Sequence, residues 1–227
     1  MHALLLGILE RLFPVQRHEW PKVLMLLGTA TLLGVGFTVS RAASEALFLV
    51  HFGVEYLPYL LLANPMLVLV SSTFYGAYAD RIAADRLMIY SSLLPVPLIL
   101  AMRLLMVGGM EWVYFALYTF VLAYATILTT SWTVYLAGHY DVQEAKRLLP
   151  FISSGILIGA VVGGLGTALC VPLIGAANML LVWAGVLVAG VGLVHGRTSV
   201  DAGMDAKARV THRRPRRTRK RPRIAAG

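Results

Sequence analysis

Apolar runs of similar length alternate with short polar breaks along most of this chain. Pro21 can occupy the first turn of a helix, where its missing N–H costs nothing. The pattern predicts a first span over about 22–48, a turn at His51–Glu55 and a second span over about 56–79. A charged linker, Asp80–Arg86, leads to a third span over about 87–106, which Pro95 and Pro97 should bend. Gly108-Gly109 turns the chain into a fourth span, about 112–137, rich in Tyr and Thr. The polar stretch Gly138–Arg147 opens a fifth, about 148–170, and Pro172–Gly175 turns into a sixth that ends near 194. Each run supplies the ~20 residues that cross a bilayer core as a helix. The expected fold is all-α and polytopic: a six-helix transmembrane bundle over 22–195. A cytoplasmic amphipathic lead-in at 1–21 precedes it, and a disordered basic tail at 196–227 follows it.

Composition strengthens this. Of 227 residues, 58% are hydrophobic and only 14% charged, against about 25% charged in soluble domains. The net charge of +9 is local: 11 of the 20 Lys/Arg and two of the 11 Asp/Glu lie from Arg197 onward, so the body is neutral. Basic residues in the body cluster on alternate loops: Arg11, Arg17 and Lys22; Arg81 and Arg86; Lys146 and Arg147. The other loops hold Glu55 and Glu111, with Arg103 near the end of the third span. The positive-inside rule then predicts six spans with both termini cytoplasmic, in a bacterial inner membrane. The first 20 residues have no basic segment before their apolar stretch and no small-residue cleavage site after it, unlike a signal peptide. Cys170 is the only cysteine, which excludes an internal disulfide. No metal-ligand cluster, phosphate-binding glycine loop or nucleophile–base pair stands out, so neither an enzyme nor a cofactor is expected.

Arg41 and Glu45 are the candidate chemistry within a span. At i, i+4 they share a face and can pair. Arg41 lies roughly 28 Å above Lys22 at 1.5 Å per residue, near the outer edge of the hydrocarbon. Two readings follow: an interfacial pair snorkelling to headgroups, or a pair lining a cavity that takes an anionic solute. Asn64, beside Pro65, and the span-four residues Tyr118, Tyr124, Thr126, Thr129, Thr130 and Trp132 are further candidates for a polar lining. The solute path expected from these is Arg41, Glu45, Asn64, Tyr124 and Thr130. Gly155, Gly159 and Gly163 recur every four residues, with Gly164 beside them. A helix face without side chains lets a neighbour approach closely in lipid.

Gly76-Ala-Tyr-Ala-Asp80-Arg81, followed by Arg86, resembles the signature loop of the major facilitator superfamily. The resemblance implies a close helix crossing at Gly76, and a cytoplasmic gate in which Asp80 caps a helix or pairs with Arg81 or Arg86. Gly155, then Gly159-Ala-Val-Val-Gly163-Gly164, looks like the superfamily's span-five antiporter motif, with Ala160 in place of its proline. Asp141…Glu144-Ala-Lys146-Arg147-Leu-Leu-Pro150, and Ser40-Arg41-Ala-Ala-Ser-Glu45 with Gly53-Val-Glu55, resemble the nucleotide transporter (ATP/ADP translocase-like) branch. The resemblance covers about 20–195 and implies the N-terminal six-helix half of a transporter. Asp141, Glu144, Lys146 and Arg147 would join the cytoplasmic gate.

The expected function is transport of a small anionic or nucleotide-like solute by alternating access, in the lipid bilayer. That mechanism requires a second six-helix bundle, from a homodimer, a separate partner or a missing C-terminal half. The alternatives are a non-transporting anchor that assembles through its glycine face and tail, or a truncated, inactive half-transporter. The tail segment Thr211–Arg223 could hold anionic headgroups at roughly 1 kcal/mol per basic residue.

Overall fold

The computed structural model describes residues 20–79, 81–138 and 142–212. All elements among them are helical: α1 (Trp20–Phe52), a 3-10 turn (Val54–Tyr56), α2 (Leu57–Ala79), α3 (Ala84–Leu93), α4 (Pro95–Val107), α5 (Trp112–Ala137), α6 (Val142–Ile174) and α7 (Ala176–His212). α3 and α4 are two halves of one span, so six helices are long and apolar enough to cross a membrane. They are apolar on most faces, as helices bathed in lipid must be.

Several boundaries differ from the hydropathy pattern. α6 begins at Val142, so Glu144, Lys146 and Arg147 belong to its first turns rather than to a loop. It also runs through Pro150 and Pro172 to Ile174, leaving Gly175 alone to reverse the chain. α7 continues to His212, so the first part of the expected disordered tail is helical. α2 is unbroken across Pro65. Backbone hydrogen bonding does not stop where apolar side chains stop, so hydropathy marks the membrane better than it marks helix ends. The lead-in at 1–19 and the tail from 213 lie outside the described residues.

Span three does break at its prolines, and the break is compensated. Pro95 has no N–H, so the carbonyl of Ser91 lacks its usual helical donor. The hydroxyl of Tyr124, on α5, donates to that carbonyl at 2.7 Å. Leu94 keeps helical dihedrals at the joint, and its N–H reaches the Tyr90 carbonyl. The span therefore bends without leaving the freed carbonyl unpaired in hydrocarbon, where that would be costly.

The tightest contact is between α1 and α6, which run parallel. A Cβ built on Gly155 would lie 2.7 Å from the Leu27 carbonyl oxygen, and one on Gly163 would lie 3.0 Å from the Val35 Cα. At Gly159 it would collide with the Thr31 carbonyl oxygen, and at Gly34 with that of Ile156. The glycine stripe of α6 is thus met by a glycine of α1, backbone against backbone. Gly164 stands apart from this seam: its Cβ would make only an ordinary 3.8 Å contact with Thr38.

Around the seam, α1 also packs on α7 and α5, α5 on α2 and α3, and both halves of span three on α7. Exchanging spans one and four, two and five, three and six leaves these pairings unchanged. An odd number of crossings separates the partners, so the two triplets are inverted relative to each other. The exchange is imperfect: the α1–α6 contact is far more extensive than its counterpart between α2 and α5, and α6 touches α7, whereas α2 and α3 make no extended contact. The core lies where α1, α5 and α7 converge, on Leu26, Leu117, Leu180 and Trp183.

The loops sort onto two ends. Gly138 lies against Ala84, and Trp20 meets Phe151 edge-on at 6.4 Å, so the basic segments share one end. At the other end His51 stacks on Tyr114 at 3.5 Å. That end makes its reversals at Gly53, Gly109 and Gly175, all at positive φ, which favours glycine.

Candidate functional site

The exposed surface of the bundle is mostly hydrocarbon. α2 presents Leu61, Leu62, Met66 and Leu69, and α6 presents Leu157, Val161, Leu165 and Leu169. Between them, where α1 and α5 are uncovered, the surface changes character. Arg41 is exposed and Glu45 half-buried, one turn apart on α1. Tyr118 of α5 lies within electrostatic reach of both, and its ring is 5.5 Å from that of Phe48.

From Tyr118 the strip continues along α5. Tyr118, Thr129 and Thr133 fall at i, i+11 and i+15, so they share a face. The half-buried Leu122, at i+4, is the apolar interruption between the tyrosine and the threonines. Thr126, Thr129, Thr130 and Thr133 are all exposed. The hydroxyls of Thr129, Thr130 and Thr133 donate to the carbonyls of Ala125, Thr126 and Thr129 at 2.7, 2.8 and 2.9 Å. Each therefore turns oxygen lone pairs, rather than a free proton, toward whatever it faces. From Tyr114 to Thr133 the strip covers roughly 28 Å at 1.5 Å per residue, close to the ~30 Å of a bilayer core. At its upper end the Nδ1–H of His51 donates to the Leu47 carbonyl at 2.8 Å, since a carbonyl can only accept.

Arg41 and Glu45 are thus brought to one polar face, but no ion pair joins them among the described residues. The i, i+4 bridge that the spacing allows is not formed, and both charges lie within reach of Tyr118. Thr130 borders the strip on the side of α2, where it and Thr126 line a crevice of about 290 Å³.

Tyr124 does not belong to this face. It is buried on the opposite side of α5, where its hydroxyl holds the Ser91 carbonyl. Trp132 is buried too, stacked on Tyr135 at 5.8 Å. Asn64 shares a face of α2 with Leu60, Leu67, Ser71 and Tyr75. Among the described residues the extended contact of α2 with a long helix is with α5 and not with α1, the helix that carries Arg41. The Asn64 Oδ1 is buried with no hydrogen-bond partner among the described residues. Thr133 completes the strip without standing out in the hydropathy pattern; its i+4 spacing from Thr129 is the available signal.

The expected gate is only partly described. Arg81, Arg86 and Lys146 are exposed at the basic end. Asp80 and Asp141 lie outside the described residues, as do the side chains of Glu144 and Arg147. Gly76 has open space beside it, with nothing within 4 Å of its built Cβ among the described residues, so it makes no close helix contact with them. A further polar contact links span three to α7: an Arg103 guanidinium N–H donates to Asn178 Oδ1 at 3.1 Å.

Comparisons with family models, with curated proteins and with solved structures return no match.

Proposed function

We propose that this chain is a six-helix half of a solute transporter, of the kind found in the major facilitator superfamily, and that the α1/α5 strip lines its solute path. The observation that carries this is the polar strip running the depth of a membrane between two hydrocarbon faces. A charged side chain facing mid-bilayer lipid costs about 3 kcal/mol on insertion scales. Arg41 and Glu45, toward the outer part of the hydrocarbon, bear a share of that cost, so water or protein opposite them is favoured, which a second bundle enclosing a cavity supplies. The inverted pairing of two helix triplets supports the same reading, because such repeats are a common transporter architecture.

In this reading Arg41 engages an anionic group of a small solute, and a nucleotide is the first candidate. Glu45, Tyr118 and the threonine oxygens complete the lining. The segments carrying Arg81, Arg86, Lys146 and Arg147 face the cytoplasm of a bacterial cell, as positive-inside bias requires, and gate the path with Asp80, Asp141 and Glu144. Alternating access moves this bundle against its partner: a second copy, a separate half or a C-terminal half of the same polypeptide. The rival assignment as an anchor that assembles through its glycine face is disfavoured. Gly155, Gly159 and Gly163 are already packed against α1 of the same chain.

The test is uptake of labelled nucleotides into proteoliposomes holding the complete assembly, with Arg41→Ala and Glu45→Ala variants that insert normally. Uptake lost in both supports the path. Wild-type uptake by both variants removes these residues from it, and no uptake by the intact assembly rejects the nucleotide.

A further inference from the structure

A second, more spacious crevice among the described residues lies on the side of α5 away from Tyr118. It encloses about 520 Å³ between α2, α3 and α5, walled by Leu67, Val70, Phe74, Leu87, Leu94 and Phe120. It exists because α2 and α3, though joined by a short linker, make no extended contact. Val70, Phe74 and Leu94 at its rim are exposed, so it opens sideways, onto the flank where α2 faces hydrocarbon.

Its lining is mostly apolar, with Ser71, Tyr75, Tyr90, Ser91 and Tyr124 as its polar residues, and two of the tyrosines are engaged within the protein. Tyr124 donates to Ser91, and the Tyr75 hydroxyl shares a hydrogen bond with Ser131 at 3.0 Å. The interior therefore offers a ligand mainly hydrocarbon. Charge appears at one mouth: Arg86 directly precedes Leu87 of the crevice wall, and Arg81 lies in the same linker, both exposed. From Arg86 to Leu94 the wall rises about 12 Å, close to the ~15 Å depth of one leaflet, half of a ~30 Å core.

An apolar slot one leaflet deep, open to lipid and with guanidinium groups at its polar end, matches a phospholipid. We infer that one acyl chain of a phospholipid from the leaflet at the basic end fills this crevice, with its phosphate held by Arg81 and Arg86. The linker also carries Asp80 and Asp85, so its net charge is zero. Recognition is then a local guanidinium–phosphate contact, of the kind arginine makes in bidentate geometry, and not a field over the leaflet. The inference rests on placement in a membrane and is independent of the transport reading.

The test places the full chain in nanodiscs of phosphatidylethanolamine and phosphatidylglycerol, with a phosphatidylglycerol carrying a diazirine on its acyl chain. After illumination, labelled peptides are mapped by mass spectrometry. The crevice peptides should be labelled severalfold more than the equally exposed apolar face of α6 at Leu157–Leu165. Val70→Trp, at an exposed rim position, should abolish the excess and leave α6 labelling unchanged; Leu94→Trp plugs the opposite wall and should do the same. The Arg81→Ala/Arg86→Ala double variant should lower crevice labelling severalfold. Equal labelling of the two faces overturns the proposal, as does indifference to both Trp variants or to the loss of both arginines. Crevice labelling that falls as the number of chains per disc rises would give the slot to a second copy instead, and overturns it too.

Discussion

Replacing Gly159 by alanine adds one methyl group to the α1/α6 seam. That carbon would lie 2.9 Å from both the carbonyl carbon of Thr31 and the amide nitrogen of Val35, and closer still to the Thr31 carbonyl oxygen. Carbon atoms rest at ~3.5–4.0 Å, so the helices must part by something on the order of 1 Å. A gap of that size forfeits a quarter to a half of each dispersion contact along the seam. Overpacking costs typically ~1–3 kcal/mol, and the upper end applies because the obstacle is backbone and has no other rotamer. Alanine's better helix propensity returns about 1 kcal/mol. The expected net loss is about 2 kcal/mol, or roughly 4–8 °C in Tm at this chain length. Gly166, on the same helix, has nothing within 4 Å of its built Cβ. Gly166→Ala should therefore be neutral or stabilising. Thermal unfolding of both variants in one detergent or nanodisc preparation decides the matter. Equal stability of the two would refute the backbone contact at Gly159.

Three further outcomes are expected. Tyr124→Phe leaves the Ser91 carbonyl without its donor and should cost ~1–3 kcal/mol; Pro95→Ala restores a backbone N–H there, so the Tyr124→Phe penalty should shrink in that background, and strictly additive effects in the double-mutant cycle would count against the compensation. Asn178→Ala removes the acceptor of Arg103 and should destabilise by ~1–3 kcal/mol, with Asn178→Asp recovering the loss; unfolding curves unchanged by Asn178→Ala would remove the contact. Ala206→Pro, inside the extension of α7 past Gly196, should lower helical ellipticity, since interior proline costs about 3 kcal/mol, while the Tm of the bundle stays put; unaltered ellipticity would contradict a helix reaching His212.

The six helices long and apolar enough to cross a membrane were legible because a crossing demands long apolar runs, which the sequence shows directly. The break at Pro95 was legible for a similar reason, since a missing N–H acts locally. What depends on the rotation of one helix against another was not legible. Tyr118 and Tyr124 both lie in the polar-looking span four, yet one faces the strip and the other is buried against Ser91. Gly76 and Gly159 are the same residue in apolar surroundings, yet one has open space and the other touches a backbone. Gly34 does not stand out because its neighbours Gly28 and Gly36 do not continue an i+4 stripe, although it completes the seam from the other side. Helix ends were missed where polar residues extend a helix past the hydrocarbon, as at Val142 and beyond Gly196.

A seam built from backbone has a genetic signature. Where two side chains clash, a smaller residue opposite can restore the fit. At Gly159 the obstacle is the Thr31 carbonyl, and at Gly34 it is that of Ile156. Every amino acid carries that oxygen, so no replacement at 31 or 156 makes room. Second-site revertants of a Gly159 or Gly34 substitution should therefore be absent from the facing positions. They should arise instead at places that let the whole of α1 or α6 tilt, such as the reversals at Gly53 and Gly175, or restore the glycine itself.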